Sequence, residues 1–180
     1  DLVTFGYSLG EVAPGVALEV IARAYSLTTK GLVIVEPGTV AASSFLLRAR
    51  QRLIELGATI AAPCPHQSAC PLPSGDWCHF AVRIERSRLH KQLKGGQLGY
   101  EDEKFSYIIA LRGPVPPPAE VFRILRHPAI EAGAVNLTLC GPEGISQIRV
   151  RSAERGRFKS ARKADWGSRW VDPAQKGQLA

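Results

Sequence analysis

Methionine is absent from all 180 residues, the initiator included, and no apolar run approaches the roughly 20 residues that cross a bilayer as a helix. The first absence points to a piece of a longer chain, with its true N-terminus and any targeting signal upstream. The second excludes an integral membrane protein built of helices. Neither G-x-G-x-x-G nor G-x-x-x-x-G-K-[ST] occurs, so phosphate-loop enzymes find no support. Four cysteines are too few to staple a secreted scaffold, and Asp1-Leu2-Val3 opens a strand-like pattern rather than a signal peptide. Acids are in deficit, 16 against 23 Lys and Arg, which leaves a net charge of +7. With 45% hydrophobic and 22% charged residues, neither a disordered nor a collagen-like chain fits, and the length suits about one domain.

What is present begins as alternating strand and helix. Leu2 to Ser8 reads as a strand ending at Gly10. Pro14 suits a first helical turn, and Val16, Val20, Ala24 and Leu27, with Ala17 and Ile21, stripe one helix face. Leu32 to Val35 reads as a strand buried on both faces, as in parallel sheets. Leu46, Ala49, Leu53 and Leu56 stripe a second helix, with Arg48, Arg52 and Glu55 outside and Gly57 at its end. This order predicts a doubly wound α/β unit. Ala58 to Ala62, Cys78 to Ile84 and Phe105 to Leu111 read as further strands. A short basic piece from Ser87 to Lys94 leads into Gly95-Gly96. Pro114, Pro116, Pro117 and Pro118 make a break, after which Val121 to Leu125, Val135 to Leu139 and Ile145 to Val150 alternate like antiparallel strands. A helix around Arg157 to Ala164 and a loose tail complete the expectation. The predicted divisions are 1–112, with a cysteine loop at 63–79, then 113–150, then a basic tail at 151–180.

The cysteines are Cys64, Cys70, Cys78 and Cys140. Three fall between residues 64 and 78, in a stretch carrying Pro63, Pro65, Pro71, Pro73 and Gly75 that cannot hold a regular element. Something else must order it. Four thiolates suit Zn²⁺ or an iron–sulfur cluster and discriminate against Mg²⁺ and Ca²⁺. Structural zinc sites usually pair cysteines two to four residues apart, whereas the gaps here hold five and seven. His66 and His79 are candidate ligands in a mixed zinc site. Unrelated buried thiols, or two disulfides, are the bland alternative.

From Arg149 to Trp170 eight bases stand against two acids, so this stretch supplies +6 of the net +7, with Phe158, Trp166 and Trp170 interleaved. Cations that neutralise phosphates and rings that stack on bases together suit RNA. Arg157, Lys159, Arg162, Lys163 and Trp166 are the candidate RNA contacts; a solvated tail with its tryptophans docked on the core is the alternative. Arg86, Arg88, His90, Lys91 and Lys94 form a second basic piece. Strand C-terminal ends form the ligand crevice of doubly wound folds, which singles out Ser8, Gly10, Glu11 and Glu36. An acid supporting a helix N-terminus is the other reading of Glu36.

Read in order, Asp1-Leu2-Val3, Tyr7-Ser8-Leu9-Gly10-Glu11, Val35-Glu36-Pro37-Gly38-Thr39 and Ala62-Pro63-Cys64-Pro65-His66 resemble one family. So do Trp77-Cys78-His79-Phe80, Glu103-Lys104-Phe105-Ser106-Tyr107, Leu139-Cys140 and the stretch from Ala161 to Gly167. It is the methyltransferase-like family of small-ribosomal-subunit assembly factors, known from mitochondria and with bacterial relatives. The resemblance implies the C-terminal half of a class I, Rossmann-like methyltransferase fold with a small antiparallel extension. It also implies a [4Fe–4S] cluster held by Cys64, Cys70, Cys78 and Cys140, and partners among small-subunit rRNA and ribosomal assembly intermediates, with no membrane and no DNA. By this resemblance the chain begins near the fourth strand of the fold, without the glycine-rich loop and the acid that hold most of S-adenosylmethionine. Tyr7, Ser8, Glu36 and Pro37 remain as its cofactor-binding end. An assembly factor is expected first, an active rRNA methyltransferase second and a zinc-stabilised RNA-binding module third. Bacterial cytoplasm is the expected compartment, with mitochondrial matrix the alternative.

Overall fold

A computed structural model describes residues 1–95, 97–113 and 121–173. Gly96, the Pro114 to Pro118 break and the end of the tail lie outside the described residues.

The first sheet holds β1 (Leu2–Gly6), β2 (Gly31–Pro37), β3 (Ala58–Ala62), β4 (Phe80–Glu85) and β5 (Tyr100–Arg112), in the order β1-β2-β5-β3, with β4 also paired to β5. β1 and β2 are parallel, as the β-α-β pattern requires. β5 runs antiparallel to β2, β3 and β4, so the sheet is mixed rather than wholly parallel. α1 (Pro14–Leu27) and α2 (Val40–Glu55) form one core with Val3, Phe5, Leu32, Ile34, Ile60, Ile108 and Ala110. The expectation that Leu32 to Val35 is buried on both faces fails in part. Leu32 and Ile34 are fully buried under the helices, whereas Val33 and Val35, turned to the other face, are half-buried. Pro14 opens α1, and the Thr39 hydroxyl caps α2 by accepting from the Ala42 N–H at 3.2 Å.

The second sheet holds β6 (Val121–Ile124), β7 (Ala129–Glu131), β8 (Ala134–Gly141), β9 (Gly144–Arg151) and β10 (Arg169–Val171). Its pairings are all antiparallel. The expected helix is α4 (Arg155–Ala161), preceded by the short basic helix α3 (Arg88–Lys94) at the far end of β4. The stretch after α4 is no loose tail. β10 pairs with β6, and Trp170 joins Ile124, Val135, Leu137, Leu139, Val150 and Ala161 in a second core. The apolar spacing of Phe158, Ala161 and Trp170 outweighs the surrounding charge, so residues 151–171 complete this sheet rather than extend from it.

In each sheet two short strands share one edge of a long one. β4 pairs with residues 100–105 of β5 and β3 with 109–112, while β2 takes the other edge. Likewise β7 and β6 pair with 134–136 and 139–140 of β8, opposite β9. The cysteine loop leaves through the first break, and Leu125 to Pro128 crosses the second. Arg126 in the second segment forms an ion pair with Asp76 in the first.

Candidate metal centre

Residues 63–79 have no strand or helix of their own, and neighbouring elements supply many of their hydrogen bonds. Gln67 returns to β3, donating to the Ile60 carbonyl at 2.9 Å and accepting from its N–H at 2.8 Å. From α2, Arg50 Nη2 donates to the His66 carbonyl at 2.7 Å. From β6, Arg123 Nε donates to the Pro63 carbonyl at 2.9 Å and its Nη1 to Gly167 at 2.7 Å. From β5, Ser106 Oγ donates to the Cys78 carbonyl at 2.8 Å, and Trp77 Nε1 donates to Gly38 at 3.0 Å. Side chains from three elements thus order much of this backbone.

All four cysteines line one cavity of about 40 Å³, with Cys140 arriving from β8. That exceeds the roughly 10–15 Å³ a cavity needs to hold one water. Cys64, Cys70 and Cys78 are half-buried and Cys140 is buried. His66 also lines the cavity, with Nε2 3.5 Å from the Cys140 sulfur. His79 turns away: it stacks on Trp77 at 4.8 Å and meets the edge of Trp166 at 5.0 Å. Among the described residues, no Asp or Glu lines the cavity, and its charged side chains are Arg50 and Arg123. Among the described residues, no three Cys, His, Asp or Glu side chains close round one ion.

Burial raises the thiols of Cys78 and Cys140 to about 12, and the other cysteines of the cavity push the same way. Cys64 is raised too, chiefly by burial, with Arg50 opposing. Such thiols hold their protons in water, and a bound metal would displace them. Four soft sulfurs in a carboxylate-free pocket fit zinc or iron–sulfur chemistry rather than a hard cation.

At the C-terminal ends of β1 and β2, Tyr7, Glu36 and Pro37 line a separate cleft with Leu9, Phe45 and Arg48. Ser8 lies outside that lining, and its N–H donates to Glu36 at 3.2 Å. The Glu36 carboxylate is 2% exposed and also accepts from the Leu9 N–H at 3.0 Å, at the start of a 3₁₀ turn over Leu9–Glu11. It anchors a helical N-terminus, the second of its two readings. Tyr7 adopts a left-handed φ of 53° and donates to Glu103 at 3.3 Å.

The RNA candidates divide. Lys159, Arg162 and Lys163 are exposed and, among the described residues, in no ion pair, as is Arg155 beside them. Arg157 is engaged by Glu154 and Asp172, each at 2.7 Å. Trp166 is half-buried between the His79 and His127 rings, at 5.0 and 4.9 Å, and Trp170 is in the core. Sequence reasoning passed over Arg50 and Arg123. Arg50 sits on the apolar stripe of α2 four residues after Leu46 and three before Leu53, and a cation in that position was a legible signal.

The family described as mitochondrial small ribosomal subunit Rsm22 matches residues 1–171. The human mitochondrial ribosome assembly protein METTL17 is 31% identical over 182 residues. That alignment takes in 93% of this chain and 38% of the human protein, so the chain spans well under half the length of that relative. This chain belongs to the Rsm22 family.

Proposed function

We propose that this chain is the cluster-bearing part of a small-ribosomal-subunit assembly factor. In this reading Cys64, Cys70, Cys78 and Cys140 hold a [4Fe–4S] cluster, and the outer side of α4 lies against rRNA. The observation that carries it is the convergence of four cysteines, three from one loop and one from a distant strand, on a cavity without a carboxylate. The gaps of five and seven residues between the loop cysteines, wider than the short pairing usual for structural zinc, support the larger cluster over Zn²⁺. When bound, the cluster supplies one-electron chemistry and a rigid crosslink between loop and strand.

The exposed Arg155, Lys159, Arg162 and Lys163, in no ion pair among the described residues, support phosphate contact. Of the candidate contacts, Arg157 and Trp166 serve the fold instead, through Glu154 and Asp172 and through the two histidines. The printed name of the human relative supports a ribosomal partner, and supports the mitochondrial matrix over bacterial cytoplasm. Methyl transfer is the second reading. It rests on the cleft at Tyr7, Glu36 and Pro37, where a longer protein of the class I methyltransferase type would seat S-adenosylmethionine. The assembly role is preferred because Glu36 already spends its carboxylate on the turn.

Anaerobic purification tests the cluster. Brown protein with broad visible absorbance and about four iron and four sulfide per chain is expected; colourless protein carrying one zinc refutes it.

A further inference from the structure

Two guanidinium groups, one from α2 and one from β6, line the cysteine cavity, and among the described residues no carboxylate lines it with them. Arg50 comes from α2 and is 4% exposed; its Nη2 reaches the His66 carbonyl, and its Nε is buried without a partner. Arg123 comes from β6, whose register sets it beside Cys140; it is half-buried, and among the described residues it donates to the carbonyls of Pro63 and Gly167. The nearest ion pair, Arg126 with Asp76, adds no net charge. Arg50, buried against a neutral carbonyl, and half-buried Arg123 lack, among the described residues, the anion that ordinarily offsets a cation's desolvation. Among the described residues, the cavity lining carries two guanidinium charges and no carboxylate.

We propose that Arg50 and Arg123 are the counter-cations of the four-cysteine centre, placed for an occupant of net charge −2. This rests on the reading of the cavity as a metal centre. Four thiolates around an oxidised [4Fe–4S]²⁺ core carry −2, which the two arginines neutralise. One electron taken from dithionite makes the core [4Fe–4S]⁺ and the centre −3, with no bond made or broken. The arginines therefore favour the reduced state, and removing either charge disfavours it. Four thiolates on Zn²⁺ also carry −2, so retention depends on the arginines with either metal.

The test uses this chain with Arg50→Gln, Arg123→Gln, Arg50→Lys and Arg123→Lys, reconstituted anaerobically with iron and sulfide. Gln keeps an N–H donor and loses the charge; Lys keeps the charge. Metal content and midpoint potential, titrated with dithionite and mediators, are read alongside a thermal melt. The Gln variants should load less metal and shift the midpoint negative by about 59 mV or more, a tenfold change for one electron. The Lys variants should stay near wild type. Equal loading and potential in the Gln variants overturns the assignment while the cluster reading stands. Equal loss in Gln and Lys variants also overturns it, assigning both arginines to hydrogen-bond geometry alone. Wild type that takes zinc and no iron sinks the cluster reading, and zinc retention in the same variants then decides the counter-cation role.

Discussion

The Cys140 sulfur and His66 Nε2 lie 3.5 Å apart, and through this contact β8 meets the loop between β3 and β4. His66 is 8% exposed, so the imidazole is held in the cavity rather than free to swing out. Burial and Arg50 both lower its pKa, which favours the neutral ring. In the proposed centre it would stand beside the four cysteines rather than serve as a fifth ligand. Cys140→Ser should abolish cluster loading, whereas His66→Ala should weaken it and leave about four iron per loaded chain. Iron analysis and the visible spectrum of both variants check this.

Metal removal should loosen the join between the sheets. A ligand held at about 1,000 times its dissociation constant adds about 4 kcal/mol to stability. At about 2–4 °C per kcal/mol for a chain of this length, the chelated protein should melt roughly 8–16 °C lower. Limited proteolysis should cut it first between residues 63 and 79. A melt unchanged by chelation would show that the side-chain bonds hold the loop unaided.

Gln67 holds two backbone groups of Ile60. Gln67→Ala strands both, and each unsatisfied buried group costs about 1–3 kcal/mol. Urea denaturation of the chelated protein should show a loss within that range or somewhat above it, with the slope unchanged.

Much of this architecture was legible because apolar spacing and turn chemistry are local. Pro14 and the Ala17 and Ile21 stripe place α1, and Gly57 places the end of α2, close to where the pattern puts them, although α2 starts at Val40, ahead of the Leu46 stripe. Strand direction was not legible. Ile108 and Ala110 alternate with half-buried neighbours whether β5 runs parallel or antiparallel, and the register with β2 is a long-range choice. The three clustered cysteines announced themselves, but the counter-charges did not, since Arg50 and Arg123 gain meaning only when α2 and β6 converge on the loop. Trp170 was ambiguous for a related reason: cations flank it, and only the β6 register shows it to be core.

Gly167 adopts φ 85°, and an added Cβ there would lie 2.8 Å from Phe80 Cδ1. Its carbonyl also takes the Arg123 bond. Gly167→Ala combines left-handed strain with a clash against a buried ring, so a loss of about 1–3 kcal/mol is expected. Because Arg123 is displaced with it, metal loading should fall in the same variant, whereas Gly156→Ala, with open space at the added Cβ, should leave loading unchanged.

RNA binding separates the cations that face solvent from those the fold uses. Arg162→Ala with Lys163→Ala should weaken binding and flatten the log–log salt slope by about 0.7–0.9 per lost phosphate contact. Arg157→Ala should leave that slope unchanged, because its guanidinium is spent on Glu154 and Asp172, and should lower stability instead. Trp166→Ala should behave like Arg157→Ala: the ring is held between His79 and His127, so its loss leaves a gap against the cysteine loop. A core Trp→Ala costs about 3–5 kcal/mol, and this half-buried site should approach the lower figure. Filter binding at four salt concentrations, paired with a melt of each variant, separates the two outcomes. An unchanged slope in the double variant would move the RNA surface away from α4, with the exposed Arg88 of α3 as the next cation to remove.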